Sequence, residues 1–357
     1  MVKKVHLDFE TRSRVDLKLA GTTKYAQDPS TSIMCLTYAV DDAEPVLMEE
    51  YFSDLEWGRA QDTELFQLAA DPDVIFVAHN AFFEQCVWQY ILVKRFNWPP
   101  IELHRWRCTM AKAAALGLPQ GLGDANKALG LNVEKDLEGR RLMLKYTKPR
   151  KTTKNNVNEF HNDPTEFKLI FEYNIKDVIA ERALDEYLPD LSPSEQEVWF
   201  LDQTINHRGV PVDSYAIDLA LDFIQIHRSK LEKRLIELTK GHITKATQGK
   251  KIIDFLEANG VTLPNITKAT VYEALESGLY PDWVNELLVI RQELSQTSTA
   301  KIIKMQQKCC NDGRIRENLA YCAAGTGRWG GRGVQFQNLP RGEYNSDTVV
   351  SILLLGD

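Results

Sequence analysis

The stretch Val2-Lys-Lys-Val-His-Leu-Asp-Phe-Glu10 alternates apolar and polar residues from Val5 onward. This period-two pattern predicts a β-strand with its apolar side chains on one face and its polar side chains on the other. Asp8 and Glu10 therefore share a strand face, and two neighbouring carboxylates suit a hard divalent cation, which prefers oxygen ligands. The alternative is a solvated strand face, because Asp-x-Glu is a common pattern.

Further strands and helices follow this first strand. Ile33–Val40 and Pro45–Phe52 have strand composition, and the continuous apolar run Val74–Ala78 predicts a strand buried on both faces. A helix is predicted after the last of these, and helix-forming residues fill the segment from about Thr165 to Leu188. Strands and helices in this mixture predict that residues 1–190 form an α/β domain.

The remainder of the chain is predicted to be mainly helical. Pro189 and Ser192-Pro193-Ser194 mark a boundary, beyond which strand patterns nearly vanish. Asp213-Ser214 is suited to cap a helix, and apolar residues recur at helical spacing after it. We expect these apolar stripes to form a core and give them no catalytic meaning.

Composition places the chain among ordinary globular proteins. Of 357 residues, 43% are hydrophobic and 26% are charged, which excludes wholesale disorder and collagen-like sequence. The net charge of −7 argues against a surface built throughout to coat a polyanion. We find no signal peptide and no apolar run of about 18 residues, so a cytoplasmic protein is expected. The six cysteines are scattered, and we expect reduced thiols.

Two later motifs add polar groups to the same predicted domain. Asn80 and Glu84 follow a predicted strand, at the strand end where α/β sheets collect ligands, although an acid at position 84 equally suits the first turn of a helix. Tyr173 and Asp177 lie four residues apart, so a helix places the phenol and the carboxylate on one face. Taken alone, a tyrosine at helical spacing is more typical of a core.

Together the three motifs resemble those of the DEDD exonuclease superfamily, which has an RNase H-like fold. The resemblance is to its tyrosine-bearing branch, because position 172, where the histidine branch carries His, is Glu172, while Tyr173 lies where the tyrosine branch needs it. The second motif usually ends in Asp, and Glu84 departs from that pattern. Its extra methylene is expected to move the metal ligand or to insert a water.

The carboxyl-terminal part resembles family A DNA polymerases. The stretch Thr326-Gly-Arg-Trp-Gly-Gly-Arg-Gly-Val-Gln-Phe-Gln-Asn-Leu-Pro340 is similar to the one that opens the palm of that family. Two upstream stretches, Asn206-His-Arg-Gly-Val-Pro-Val-Asp213 and Asp312-Gly-Arg-Ile-Arg316, are similar to its thumb-entry and palm-approach motifs. Residues 118–142, which include Gly139, are similar to phage-type members. An ordinary surface loop is the alternative for the glycine-rich stretch.

The resemblance implies three regions. These are a 3′–5′ exonuclease domain at residues 1–190, a helical thumb region at 191–318, and the start of a palm at 319–357 that ends before the catalytic palm aspartates. The resemblance implies that the chain is the proofreading and thumb portion of a phage-type polymerase that acts in DNA replication. If a phage encodes the protein, it is expected in the host cytoplasm. Such a chain is expected not to polymerise alone, and to be a fragment or one half of a split polymerase whose palm and fingers come from another polypeptide.

The resemblance also implies a mechanism in which two divalent cations, Mg²⁺ or Mn²⁺, assist hydrolysis of DNA 3′ ends to 5′-nucleoside monophosphates. Its predicted metal ligands are Asp8, Glu10, Glu84 and Asp177, and Tyr173 joins them as a catalytic residue that orients the attacking water. Predicted contacts to single-stranded or primer–template DNA are Thr11, Asn80, Arg140, Arg141, Lys145, Lys148, Arg150, Lys151, Arg328, Arg332, Gln337 and Asn338.

Six of these predicted contacts come from one basic segment. Residues 135–154 carry eight basic and two acidic side chains, a net charge of +6 within an acidic chain. We predict that the segment tracks the phosphates of a DNA strand, while a solvated charged loop is the alternative.

Two other functions stay open. A stand-alone RNA-trimming exonuclease of the same superfamily would use the same chemistry, although it has no use for the palm-opening stretch. A non-catalytic DNA-binding or assembly module with a decayed site is supported only by Glu84, since the other acids and Tyr173 are in place.

Overall fold

The computed structural model describes residues 2–49, 63–131, 136–153, 159–295 and 298–339. The end of the predicted third strand, both ends of the basic segment and the predicted palm beyond residue 339 lie outside the described residues. By their contacts, the residues form two compact units. Met1–Val212 and Gln307–Leu339 form the first unit, and Asp213–Gln306 belong to the second. The functional limits placed at residues 190 and 318 stay predictions.

The first unit is built around a mixed five-stranded sheet in the order β3-β2-β1-β4-β5. The central strand β1 pairs antiparallel with β2 and parallel with β4. The outer strand β3 is antiparallel to β2, and β5 is parallel to β4. The sheet confirms the predicted α/β class. Its strands are β1 (Lys4–Arg12), β2 (Ser32–Val40), β3 (Val46–Glu49), β4 (Ile75–Ala78) and β5 (Trp106–Cys108).

Aromatic side chains fill the core on one face of this sheet. The apolar face of β1 is buried there, as the alternation predicted, and Phe9 meets the ring of Trp88 edge-on at 6.4 Å. Trp88 also packs against Phe76 at 5.7 Å and Trp98 at 5.4 Å. Each buried aromatic removes a large apolar area from water, about 150–250 Å², so this cluster anchors the position of β1.

Helices cover the sheet, and the longest, Pro164–Tyr187, packs across β1 and β2. Its start follows from sequence, because Asp163 accepts a hydrogen bond from the backbone of Thr165 at 2.8 Å and proline occupies the first helical position. The other α-helices of this unit are Leu17–Ala20, Thr22–Gln27, Glu64–Ala70, Phe82–Val87, Lys94–Phe96, Thr109–Ala115, Leu122–Ala128, Leu137–Tyr146 and Pro193–Arg208.

The helix after β4 departs from the regular helix that the sequence predicts. Phe82–Val87 is α-helical, but Trp88–Val93 forms a π-helical turn. The wider turn seats Trp88 at 1% exposure in the aromatic core, where its indole NH donates to the carbonyl of Pro99 at 2.9 Å. Periodicity alone does not reveal such a turn.

The second unit is helical, as predicted. Asp213 caps its first helix by accepting from the backbone of Ala216 at 3.0 Å. Arg234 and Glu286 join that helix to a later one through two hydrogen bonds of 2.6 and 2.9 Å. Its helices are Ser214–Leu238, Gly249–Ala258, Lys268–Ser277 and Asp282–Leu294, and Ser298–Lys308 leads back to the first unit.

The returning segment adds two small sheets to the first unit. In one, β6 (Val210–Pro211) pairs with β7 (Arg314–Ile315), and in the other, β8 (Leu319–Ala320) pairs with β9 (Gly330–Gly331). The structure describes all six cysteines, and none of them is in a disulfide. Within the described ranges, no helix has both the length and the apolar character that crossing a bilayer requires.

Candidate functional site

Three acids predicted from separate motifs meet at the centre of the sheet. Asp8 and Glu10 point to the same side of β1 because strand side chains alternate. Asp177 reaches them from the helix Pro164–Tyr187, and one carboxylate oxygen from each of the three lies within 4.8 Å of the others. We call these three residues the carboxylate cluster. Such a set of oxygen donors suits a hard divalent cation.

The fourth predicted acid, Glu84, lies in the first turn of the helix Phe82–Val87 and is only 3% exposed. Its Oε2 has no hydrogen-bond partner among the described residues. Burial, and next the charge of Asp8, raises the pKa of Glu84 well above its usual range. An exposed acid in the first turn of a helix would be neither buried nor raised in pKa by Asp8. Glu84 therefore lies against the cluster rather than on the surface.

Burial makes the cluster electrostatically costly to ionise. It raises the pKa of Asp8 and of Glu10 well above their ordinary values, and the neighbouring acids add to both shifts. Burial also raises the pKa of Asp177 to about 6, although a hydrogen bond from Tyr173 opposes the shift. Burial, and next the charge of Asp177, raises the pKa of Tyr173 in turn, so its phenol stays protonated and donates to that acid.

The cluster is one step of a longer series of facing side chains. Every second residue of β1 meets every fourth residue of the helix Pro164–Tyr187. The facing pairs are Lys4 with Asp185 at 2.8 Å, His6 with Glu181 at 2.7 Å, and Asp8 with Asp177. The first pair joins opposite charges, and the second joins an imidazole to an acid, whereas the third joins two acids. The third pair therefore lacks the opposite charge that balances the first pair.

The residues present fit a divalent cation. A positive charge would stabilise carboxylates that repel one another and would give the unpaired, buried oxygen of Glu84 a partner. The residues able to hold such an ion are the carboxylate cluster, with Glu84 beside it.

Without bound cations, folding stability should fall as pH rises through the pKa values of these acids. Because folding raises the pKa of Asp177 from 3.8 to about 6, its contribution is fully present below about pH 4 and is lost as pH rises through about 6. We therefore expect Asp177→Asn, which cannot ionise, to gain in Tm relative to the wild type between about pH 5 and 7.5 in EDTA. A Tm difference that stays constant over this range would contradict the expectation.

Asn174 is a site residue that sequence reasoning missed. Its amide nitrogen lies 2.6 Å from Oδ2 of Asp8 and 3.3 Å from the carbonyl oxygen of the same residue. The hydrogen bond lowers the pKa of Asp8 in part, against burial and the charge of Asp177. Its position three residues before Asp177 on a predicted helix could have indicated that Asn174 faces the site. Many polar residues share such a spacing, so the spacing alone does not select Asn174.

Gly139 lets a second helix approach Tyr173. A Cβ at this glycine would lie 2.6 Å from Cβ of Tyr173, closer than such atoms ever come. Asp136 caps the same helix, Leu137–Tyr146, by accepting from the backbone of Gly139 at 2.7 Å, and its other oxygen meets Lys176 at 2.7 Å. The helix is therefore fixed over Tyr173 by a close approach and an ion pair.

A cleft of about 640 Å³ opens beside the cluster, with Asn80, Arg140, Tyr173 and Asp177 among the residues that line it. The charge of Arg140 lowers the pKa of Asp177, against burial. Thr11, another predicted contact, is 4% exposed, and its hydroxyl lies 2.9 Å from that of Tyr25.

The other predicted contacts do not line this cleft, and several are already paired. Arg141 binds Glu138 at 2.6 Å, and Lys145 binds Glu166 at 2.5 Å. Lys148 lies 3.7 Å from Asp16. Six further predicted contacts are exposed, namely Arg150, Lys151, Arg328, Arg332, Gln337 and Asn338.

Sequence comparison finds a relative along almost the entire chain. The chain is 35% identical over 363 residues to a DNA polymerase of Bacillus phage SP02, an alignment that covers 99% of this chain and 54% of the relative. The chain is thus similar, along almost its whole length, to part of a phage DNA polymerase. It spans about half the length of the curated relative that it matches. The predicted resemblance to phage polymerases is confirmed.

A solved structure supports the fold of this chain. The POL domain of Pol1 from M. smegmatis, determined in complex with DNA primer-template and dNTP, matches with a TM-score of 0.52. The match covers 94% of this chain and 53% of that chain, at 15% identity, and shows a shared fold alone. A scan against protein-family models finds no match.

Proposed function

We propose that this chain is a metal-dependent 3′–5′ exonuclease that proofreads DNA during phage replication, with residues 191–318 as a thumb that holds the duplex. The observation that carries the proposal is the convergence of Asp8, Glu10 and Asp177 within 4.8 Å, from two elements far apart in the sequence. Tyr173 and the buried Glu84 complete the constellation expected of the DEDD superfamily.

The proposed reaction adds water to the terminal phosphodiester and breaks the bond between phosphorus and the 3′ oxygen of the preceding nucleotide. A proton ends on that oxygen, and a 5′-nucleoside monophosphate leaves. Two Mg²⁺ or Mn²⁺ ions held by the carboxylate cluster and Glu84 would supply charge stabilisation at the attacking and leaving oxygens. Tyr173, protonated and hydrogen-bonded to Asp177, would accept a hydrogen bond from the attacking water. Asn174 holds Asp8 in orientation.

Digestion of a 5′-labelled single-stranded DNA tests the proposal, with Mg²⁺, Mn²⁺ or EDTA and beside an RNA of the same sequence. We expect a metal-dependent ladder that shortens from the 3′ end on DNA and is much weaker on RNA. A preference for RNA would favour the RNA-trimming enzyme instead. DNA binding without cleavage under either metal would favour the non-catalytic module.

The charges of the basic segment should contribute unequally to DNA binding. Arg140 lines the cleft, whereas Arg141 and Lys145 already neutralise Glu138 and Glu166. We expect Arg140→Gln to reduce the slope of log K against log salt by about 1, as for one lost phosphate contact. Arg141→Gln is the matched control and should change the slope by less. Equal slopes for both variants and the wild type would remove the segment from the proposed interface.

A further inference from the structure

We propose that Glu181 helps to hold the cation beside Asp8 and Glu84, through the one carboxylate oxygen that His6 leaves unused. The inference rests on the proposed function, because it assumes that the acids bind divalent cations. It assigns a positioning residue beyond the four acids of the superfamily pattern.

The two oxygens of Glu181 have different surroundings. The residue is 2% exposed, and its Oε2 lies 2.7 Å from Nδ1 of His6. Its Oε1 is buried and has no hydrogen-bond partner among the described residues. Leaving a buried acceptor unpaired is destabilising, and more so when it is charged, so a donor is expected at this oxygen.

The position of Glu181 indicates where that donor comes from. It lies one helical turn beyond Asp177 and therefore on the same helix face. Its charge contributes, after larger effects, to the raised pKa of Asp8 and of Glu84. Glu84 also has an unpaired, buried oxygen. Glu181 thus acts on Asp8, Asp8 acts on Glu84, and the two buried glutamates each have a free acceptor.

A cation-bound water fits this arrangement better than a direct bond to the ion. Glu181 is not among the three acids whose oxygens lie within 4.8 Å of one another. Magnesium ions in proteins usually keep several waters, and hydrogen-bond acceptors around these ligands tune the affinity of the ion. His6 orients the acid by occupying its other oxygen, so the free oxygen is left for the water.

The test counts Mn²⁺ ions bound to the full chain by the electron paramagnetic resonance signal of free Mn²⁺, together with Tm in EDTA. We expect the wild type to bind two ions, and Glu181→Gln to bind the weaker of them about tenfold less tightly, as when groups that orient metal ligands are lost. The affinity of the tighter ion should be unchanged. Asp202→Asn is the matched control, because Asp202 is 2% exposed and also has an unpaired oxygen, yet contributes to no pKa shift in the cluster.

Each outcome separates the inference from the proposed function. A wild type that binds no Mn²⁺ would overturn both. If the wild type binds two ions and Glu181→Gln has the same Mn²⁺ binding isotherm, this inference alone is overturned. It is also overturned if Glu181→Gln loses affinity for both ions equally and has a lower Tm, because that result indicates a purely structural role. Should Glu181→Gln fail to fold, His6→Gln must weaken the same ion, and an unchanged isotherm there would overturn the inference.

Discussion

Replacing Asp8 and Glu10 together by alanine is expected to lower metal-dependent digestion of single-stranded DNA at least about 10³-fold. The substitution removes two of the three acids that converge within 4.8 Å. Positive charge at the reacting phosphate lowers the barrier by several kcal/mol, and each 1.36 kcal/mol corresponds to about tenfold in rate. The measurement is the initial rate of loss of the 3′-terminal nucleotide, with saturating Mg²⁺ and then with Mn²⁺.

The chain contains a matched control for this double substitution. Asp42 and Glu44 have the same Asp-x-Glu spacing and are exposed on the turn between β2 and β3. Asp42→Ala with Glu44→Ala should leave digestion unchanged. The site variant should also have a higher Tm than the wild type in EDTA near neutral pH, because two buried acids that resist ionisation are gone. Unchanged digestion by a folded Asp8→Ala, Glu10→Ala protein would refute the proposed function.

Gly139→Ala is expected to reduce the exonuclease rate about 10²-fold without touching any acid. The new methyl group would meet Cβ of Tyr173 at 2.6 Å and its Cδ2 at 2.9 Å, so the two helices must separate or Tyr173 must move. A displacement of about 1 Å at a positioned group is enough for a loss of this size. Single-turnover rates at saturating DNA would show the loss in the chemical step rather than in binding.

Gly249→Ala provides the control for this change. It places the same methyl group at the start of another helix, where the nearest atom is the flexible end of Ile266 at 3.3 Å. Its rate should equal that of the wild type. If Gly139→Ala acts through Tyr173, then adding it to Tyr173→Phe should cost less than adding it to the wild type. Full additivity of the two losses would show that Gly139 acts elsewhere.

The parts of the site that sequence predicts are those governed by local periodicity. Alternation along β1 places Asp8 and Glu10 on one face, and a spacing of four places Tyr173 and Asp177 on one helix face. Both relations hold inside a single element, so they can be derived before any tertiary contact is known. The convergence of the two elements came from the family resemblance, and the structure brings them together.

What the sequence could not predict depends on how elements dock. Asn174 bonds Asp8 only because the helix crosses β1 at that height, and Gly139 matters only because a second helix lies against Tyr173. Arg141 likewise pairs with Glu138 within its own helix, a contact that charge counting along the sequence does not reveal. Tertiary packing, rather than propensity, decides these features.

The facing pairs between β1 and the helix Pro164–Tyr187 also limit which changes in chain length the site can tolerate. Two strand residues span about 6.6 Å along β1, and four helix residues span about 6 Å along the helix axis. Because these lengths differ by well under 1 Å, successive pairs stay nearly opposite each other. A substitution alters one pair and leaves the spacing intact. One residue inserted within β1 would turn the acids on one side of the insertion to the opposite face, and one inserted in the helix would rotate its acids by about 100°. The site thus tolerates substitutions in β1 and in the helix but not a change in their number of residues. Variation in chain length is expected in the connections on either side of these elements.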